Sequence, residues 1–216
     1  MTADLPVLYS FRRCPYAMRA RIALMLTGQR VRLRELILRD KPEEMLEASP
    51  KGTVPVLILS DGTVIDESLA VMEWASSQAP DRLASPTEEV RELIAGNDGP
   101  FKHHLDRYKY ATRYEDADEE EHRSAGVEFI SVLNERLSTH GQLFGPEPSF
   151  ADYAIFPFVR QFRIPDKEWF DAQDWPALHA WLKGHMESGL FASVMKKYPL
   201  WKETGEETLF ELTPSA

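Results

Sequence analysis

The sequence predicts an α/β domain over residues 1–79, followed by an all-helical domain over residues 88–216. Three observations support this division. Strand and helix patterns alternate through the first third of the chain, whereas only helical periodicity is found in the rest. Between these two parts, residues 79–87 include two prolines together with Asp, Arg and Ser, a composition typical of a linker.

The predicted order of elements in the first domain is β-α-β-α-β-β-α. Runs of apolar or alternating residues predict the strands, and apolar residues recurring at helical spacing predict the helices. Gly28 follows the first predicted helix, where glycine commonly ends one. Ser60-Asp61-Gly62-Thr63 is typical of a tight hairpin turn. The predicted segments, in order, are 7–10, 17–26, 31–37, 42–48, 54–59, 64–65 and 68–77.

Helical patterns account for the second domain. The clearest is an apolar stripe formed by Val127, Ile130, Leu133 and Leu137. The dipeptide Gly99-Pro100 interrupts one pattern and is expected to kink or break a helix. No strand is expected after the linker. The predicted helices are 88–95, 101–114, 119–137, 150–162, 176–187 and 190–197.

Composition excludes several classes of protein. The 216 residues carry a formal net charge of −10, which disfavours binding to nucleic acids and to anionic membranes. No apolar run is long enough to cross a membrane, and the first residues lack the pattern of a signal peptide. The single cysteine cannot form an intramolecular disulfide and fits a reducing compartment. A cytoplasmic protein is therefore expected.

Cys14 is the strongest candidate for a reactive group. It follows the first predicted strand and precedes Pro15, and proline favours the first position of a helix, so Cys14 is the expected N-cap. Backbone N–H groups and the positive end of the helix dipole favour a thiolate there. The alternative is an inert cysteine in the core. Four nearby arginines could add positive potential: Arg12, Arg13, Arg19 and Arg21.

Two further segments suggest a ligand site. In Gly52-Thr53-Val54-Pro55-Val56, a proline stands at the start of a strand, and a cis Val54-Pro55 bond would leave the Val54 backbone free to pair with an extended peptide. In Asp66-Glu67-Ser68, Ser68 begins a helix, whose N-terminus favours a carboxylate, while Glu67 could accept from an ammonium group. An ordinary edge proline and simple helix capping are the alternatives.

Taken in order, these residues resemble the cytosolic glutathione transferases, whose first domain is thioredoxin-like and whose second is helical. The matching motifs are Tyr-Ser-Phe-Arg-Arg-Cys-Pro-Tyr-Ala at 9–17, Gly-Thr-Val-Pro-Val at 52–56 and Glu67-Ser68. Cysteine followed by proline, an aromatic residue and alanine most resembles the omega class and related bacterial cysteine-type enzymes. Residues 38–43 resemble an omega segment, and residues 145–152 resemble the family's capping box, with Ser149 and Asp152 as the caps.

The resemblance implies a role for each matching residue. Cys14 is expected to be the catalytic thiol facing the sulfur of glutathione, the cosubstrate. Five residues are expected to hold glutathione: Val54 and Pro55 at its cysteinyl part, Glu67 and Ser68 at its γ-glutamyl head, and Lys41 near its glycyl carboxylate. The candidates for lining a second substrate pocket are Phe11, Tyr16, His104 and Tyr108. Because the family is usually dimeric, a homodimer is expected.

The predicted reaction is thiol–disulfide exchange through a mixed disulfide of Cys14 and glutathione, either deglutathionylation or a reduction of the dehydroascorbate type. A dithiol enzyme has a second cysteine three residues further on, but Ala17 occupies that position, so glutathione must supply the second thiol. Conjugation or isomerisation of a small electrophile is the first alternative. The second is a non-catalytic regulatory protein with the transferase fold. Tyr9 is expected to be a core or supporting residue.

No metal site is expected. His103 and His104 lie near Asp98 and Asp106, a set that could suggest metal ligands. However, adjacent side chains on a helix point about 100° apart, so these two histidines cannot easily share one ion.

Overall fold

The computed structural model describes residues 4–211, and the chain divides into two compact units. The first comprises Met1–Ser85 and Gly189–Ala216, and the second comprises Pro86–Ser188. The division after Ser85 falls within the predicted linker. The second unit ends earlier than the predicted domain over 88–216, because the segment from Gly189 onward groups with the first unit.

The first unit contains a five-stranded mixed sheet in the order β4-β3-β1-β2-β5. The central pair, β1 and β2, is parallel, and the other neighbouring pairs are antiparallel. The strands are β1 Val7–Ser10, β2 Val31–Glu35, β3 Val56–Ile58, β4 Val64–Ile65 and β5 Thr208–Phe210. The helices of this part of the chain are α1 Pro15–Leu26, α2 Glu43–Ala48 and α3 Ser68–Gln78. The predicted β-α-β-α-β-β-α order is confirmed.

The regular elements of the second unit are helices, joined by loops, one of which contains an isolated β-bridge between Gln142 and Gly145. Its α-helices are α4 Glu88–Gly96, α5 Lys102–Lys109, α6 Glu119–His140, α7 Phe150–Arg163, α8 Lys167–Asp171 and α9 Pro176–Glu187. A π-helical turn, Asn97–Phe101, joins α4 to α5 without a break. Pro100 lies in this turn, where a wider helix tolerates the missing N–H. Within residues 4–211, no helix has the length and apolar character needed to span a membrane.

The end of the described chain contains elements that the sequence analysis missed. Helix α10 Gly189–Val194 matches the helix predicted at 190–197, whereas helix α11 Trp201–Thr204 and strand β5, which pairs antiparallel with β2, are not among the predicted elements. Phe210 of β5 is fully buried, and the Glu207 carboxylate accepts hydrogen bonds from Arg32 and Arg34 of β2. The expectation that no strand follows the linker is therefore wrong at 208–210.

Asp152 organises the core of the second unit. Its carboxylate is fully buried at the start of α7 and accepts from the Ser149 N–H and the Ser149 hydroxyl, each at 2.7 Å. It also accepts from the Leu143 N–H at 3.0 Å and the Trp181 indole N–H at 2.8 Å. The predicted caps are confirmed, and Asp152 additionally joins α9 and the loop before α7 to the N-terminus of α7.

Candidate functional site

Cys14 is the N-cap of α1, with Pro15 in the first turn, as the sequence predicts. Its N–H donates to the Phe11 carbonyl at 3.0 Å, which folds the residues between β1 and α1 into a turn. The side chain is partly exposed and packs at the margin of a core cluster that includes Val54 and Ala17. The sulfur is therefore neither sealed in the core nor fully solvated.

The Cys14 sulfur lies 3.9 Å from the carbonyl oxygen of Val54. The Val54-Pro55 peptide bond is cis, which confirms the predicted isomer. Within the described residues, the Val54 N–H has no hydrogen-bond partner, and β3 begins only at Val56. One backbone segment with an available donor therefore lies directly beside the thiol.

A buried ion pair supports the turn that carries Cys14. Arg21 of α1 is fully buried and donates to the Arg12 carbonyl at 2.6 Å and the Ser10 hydroxyl at 3.1 Å. Its guanidinium lies 3.6 Å from the Glu35 carboxylate, which also accepts from the Arg12 N–H at 2.6 Å. Burial lowers the pKa of Arg21 to about 10, although the negative charges of Glu35 and Cys14 act to raise that pKa. Arg21 therefore remains cationic at neutral pH and adds positive potential near the thiol.

The N-terminus of α3 carries a second set of polar contacts. Ser68, which is buried, accepts a hydrogen bond from the Arg19 guanidinium of α1 at 3.0 Å. Glu67 is exposed and accepts from Lys51 at 2.7 Å. Lys51 also lies 3.2 Å from the carboxylate of Asp66, and the Ser49 hydroxyl holds that carboxylate at 2.8 Å. This helix end thus carries a cation, Arg19, and a carboxylate, Glu67, which are the two charges that a zwitterionic ligand head requires in its site.

Lys41 approaches the segment that precedes Val54. Gly52 adopts a φ of +61°, and a Cβ placed on it would lie 3.4 Å from the Lys41 ammonium nitrogen. Glycine permits the left-handed backbone here, and a Cβ would also lie 3.2 Å from the side chain of Leu46. The side chain of Lys41 is partly buried beside the loop that leads to the cis bond.

Two family models match the chain in consecutive segments. Residues 8–94 match the glutathione S-transferase N-terminal domain, and residues 104–184 match the glutathione S-transferase C-terminal domain. Together these matches cover most of the sequence. The chain belongs to the glutathione S-transferase family. Glutathione is the cosubstrate of this family, so the expected cosubstrate is confirmed.

Individual relatives of this glutathione S-transferase include omega-class proteins. This chain is 27% identical over 191 residues to glutathione S-transferase omega-1 of Sus scrofa, and the aligned region covers 83% of this chain and 76% of the pig protein. It is 26% identical over 158 residues to the Mus musculus omega-1 protein, covering 71% of this chain but only 65% of the mouse protein.

Solved structures show the same fold. A glutathione transferase family member from Pseudomonas fluorescens, crystallised with two glutathione molecules, superposes with a TM-score of 0.78. That match covers 89% of this chain and 93% of the other, at 17% identity. The transferase fold predicted from the sequence is confirmed.

The transferase's four pocket candidates lie in different surroundings. Phe11 and Tyr16 are partly buried beside Cys14, and each ring is close to a guanidinium: Arg13 lies 5.4 Å from the Phe11 ring and Arg19 lies 5.0 Å from the Tyr16 ring. Both remain candidates for contact with a substrate.

The other two candidates belong to the helical unit. His104 of α5 bonds to His122 of α6 through their Nδ1 atoms, 2.8 Å apart. Tyr108 is 2% exposed and packs 5.1 Å from the ring of Phe162, a placement that favours a role in the core. Tyr9 is fully buried in the sheet and belongs to the core cluster, as expected.

The sequence analysis missed two side chains that complete these arrangements. Lys51, which is not among the predicted site residues, links Asp66 to Glu67. His122 is also absent from the predicted site residues, because it follows His104 by 18 residues and only the packing of two helices brings them together. The signal for Lys51 was available, since a lysine directly before Gly52 could reach the acidic pair at 66–67.

Proposed function

We propose that this glutathione S-transferase is a cysteine-type thiol transferase that removes glutathione from mixed disulfides, with Cys14 as the nucleophile. The observation that carries the proposal is a partly exposed sulfur at a helix N-terminus, 3.9 Å from the Val54 carbonyl. A hydroxyl in this place would only stabilise the thiolate of glutathione. A thiolate can itself attack a disulfide.

The reaction runs in two exchanges. The Cys14 thiolate attacks the glutathione sulfur of a mixed disulfide, a Cys14–glutathione disulfide forms, and the substrate leaves as a thiolate that takes up a proton from water. A second glutathione thiolate then attacks the bound glutathione sulfur. Oxidised glutathione leaves, and the Cys14 thiolate is regenerated. Because the chain has no other cysteine, the second exchange requires external glutathione.

Glutathione would bind along the residues around Cys14. The Val54 N–H, which has no partner among residues 4–211, and the Val54 carbonyl would pair with the cysteinyl part, and the glutathione sulfur would then lie beside Cys14. Ser68, with Arg19 behind it, would receive the γ-glutamyl carboxylate, and Glu67 would accept from the ammonium group.

The remaining carboxylate of glutathione, on its glycyl residue, would lie near Lys41. This lysine is held beside Gly52, two residues before Val54. Lys41, together with Arg19 behind Ser68, would supply positive charge to the ligand in a protein whose net charge is −10. Local positive charge would therefore attract an anionic tripeptide that the surface as a whole repels.

The Cys14→Ser variant tests the mechanism. We expect it to lose turnover of a glutathione–cysteine mixed disulfide while retaining glutathione binding, because serine keeps the volume but not the nucleophile. Mass spectrometry of the wild-type protein after incubation with oxidised glutathione should show one glutathionyl adduct on Cys14. Unchanged turnover in Cys14→Ser would overturn the proposal.

A second assay separates this reaction from conjugation. Cys14→Ser and wild type are compared with glutathione and a chloronitrobenzene electrophile. If the wild type conjugates this electrophile efficiently but shows no mixed-disulfide turnover, conjugation replaces thiol transfer as the function. A homodimer in the cytoplasm remains the expected setting, and analytical ultracentrifugation of the purified protein measures its oligomeric state.

A further inference from the structure

Three histidines meet where α5 packs against α6 in the second unit. One nitrogen from each of His103, His104 and His122 lies within 4.8 Å of the other two. The ring centroids of His103 and His104 are 5.0 Å apart, and those of His104 and His122 are 5.1 Å apart. His103 is exposed, whereas His104 and His122 are partly buried. The cluster is therefore anchored in the helix pair and open on one side.

We propose that His103, His104 and His122 form a site for a divalent late transition metal such as Zn²⁺. Imidazole nitrogen is a preferred ligand of zinc, copper and nickel. Two ligands on a tetrahedral zinc with bonds of about 2.0–2.1 Å lie roughly 3.3 Å apart. The three nitrogens lie within 4.8 Å of one another, so closing around an ion requires no pair of them to approach by more than about 1.5 Å. The fourth position faces solvent and would hold water.

The spacing on α5 alone does not favour this site. Adjacent residues of a helix diverge by about 100°, which was the reason to expect no metal. Here the rings of His103 and His104 nevertheless turn toward each other, and His122 from α6 lies against both, with its centroid 5.8 Å from that of His103. The third ligand comes from another helix, and it makes a shared ion geometrically accessible.

Proton positions are compatible with metal binding. The Nδ1 atoms of His104 and His122 share one proton across 2.8 Å. When a metal binds, the donor ring keeps its proton but carries it on Nε2, so both rings stay neutral and both Nδ1 lone pairs face the ion.

Arg107 opposes the site. Its guanidinium lies 3.0 Å from Nδ1 of His103, and arginine can only donate, so this nitrogen accepts. Ligation by His103 through either nitrogen breaks that hydrogen bond, since the ring has one proton and two nitrogens. Glu121 and Glu128 face His104, and Asp106 faces His103, and these carboxylates favour a cation. Asp106 is already paired with Lys102, so the three ligands are surrounded by two cations, Arg107 and Lys102, and three carboxylates.

Zinc titration tests the proposal. It is performed by calorimetry at pH 7.5 on the full chain carrying Cys14→Ser, without glutathione, so that no thiol contributes. We expect one Zn²⁺ per chain. His104→Gln and His122→Gln should each weaken binding roughly tenfold or more. Removing a residue that only hydrogen-bonds to a metal ligand already costs about tenfold, and removing the ligand itself should cost at least as much. The matched control is His140→Gln, on the same helix as His122 and about 27 Å further along it.

Two further measurements define the ligand set. Arg107→Met should bind Zn²⁺ more tightly than the parent, because it frees His103 and removes a positive charge. Co²⁺ should give the intense visible absorption of a tetrahedral site, and His122→Gln should lose it. Circular dichroism confirms that each variant is folded.

Three results would overturn the proposal. The first is equal zinc affinity in the parent, His104→Gln and His122→Gln. The second is a loss of affinity in His140→Gln as large as in those variants. The third is unchanged or weaker binding in Arg107→Met, which would remove His103 from the ligand set. Because the parent protein lacks the Cys14 thiol, none of these results depends on the proposed thiol-transfer function.

Discussion

Arg21 and Glu35 connect the packing of the first unit to the residues around Cys14. The pair is almost completely buried, with exposed fractions of 0% and 6% for the two side chains. Both groups also bond to the backbone of Arg12, two residues before Cys14. Because buried charges are tolerated only when they are paired, the pair fixes the turn on which the thiol is carried.

Removing one charge of this pair should be costly. In Glu35→Gln the Arg21 guanidinium keeps its charge but loses its buried counterion, so the free energy of unfolding should fall by about 3 kcal/mol. Urea unfolding measures the change. The control is Glu89→Gln, which breaks an exposed ion pair with Arg136 and should cost less than about 1 kcal/mol. Equal effects in the two variants would contradict the structural role of the buried pair.

Residue-level prediction succeeded where local sequence determines local structure. Cys14 as an N-cap and the cis bond before Pro55 follow from short motifs, and both are confirmed. The contact between Arg21 and Glu35 joins a helix to a strand and could not be derived from local patterns. The same limit applies to His122, whose partners lie on another helix. The roles of these residues in catalysis remain predictions.

Helix α7 shows how one side chain can organise an element. Four donors from three parts of the second unit point at the Asp152 carboxylate. A helix N-terminus also favours a negative charge. Asp152 therefore both caps α7 and satisfies the polar groups of the residues that surround it.

Asp152→Ala should destabilise the protein strongly. It leaves the Trp181 indole N–H and the Leu143 N–H buried without an acceptor, and each such group costs about 1–3 kcal/mol. We expect a total loss of roughly 3–5 kcal/mol in urea unfolding. The matched control is Asp118→Ala, which removes the exposed cap of α6 and should cost only about 1 kcal/mol. Similar losses in both variants would show that the additional contacts of Asp152 contribute little.

Element prediction succeeded for long, periodic segments and for the short elements of the first third of the chain, but it missed α8, α11 and β5. Helices α6, α7 and α9 have enough turns for an apolar stripe to be visible in the sequence. Helices α8 and α11 have five and four residues, and β5 has three, too few to show a period. At Gly99-Pro100 a π-turn continues the helix, so the predicted break does not occur, while the predicted kink stays a prediction.

The sheet of the first unit is assembled from distant parts of the chain. Strand β5 pairs with the edge of β2, and Phe210 inserts a fully buried ring. Glu207 adds ion pairs to Arg32 and Arg34 of the same strand. These contacts cover an edge that would otherwise present unpaired backbone groups.

Phe210→Ala should therefore lower the stability of the whole first unit. Loss of a buried phenylalanine ring costs about 3–5 kcal/mol in a well-packed core. The control is Leu46→Ala, which removes an exposed apolar side chain of α2 and should change the unfolding free energy by less than about 0.5 kcal/mol. Thermal unfolding monitored by circular dichroism compares the two variants. A small effect of Phe210→Ala would mean that β5 adds little to the sheet.

The place of β5 in the chain affects how the protein is made. A ribosome completes the entire helical unit before it synthesises residues 208–210, so the edge of β2 stays uncovered throughout that interval. Nascent chains that stall within the helical unit would expose this edge to neighbouring chains, and such an edge is a template for aggregation. Chaperone demand during translation is thus expected to be set by the last strand of the sheet rather than by its first four.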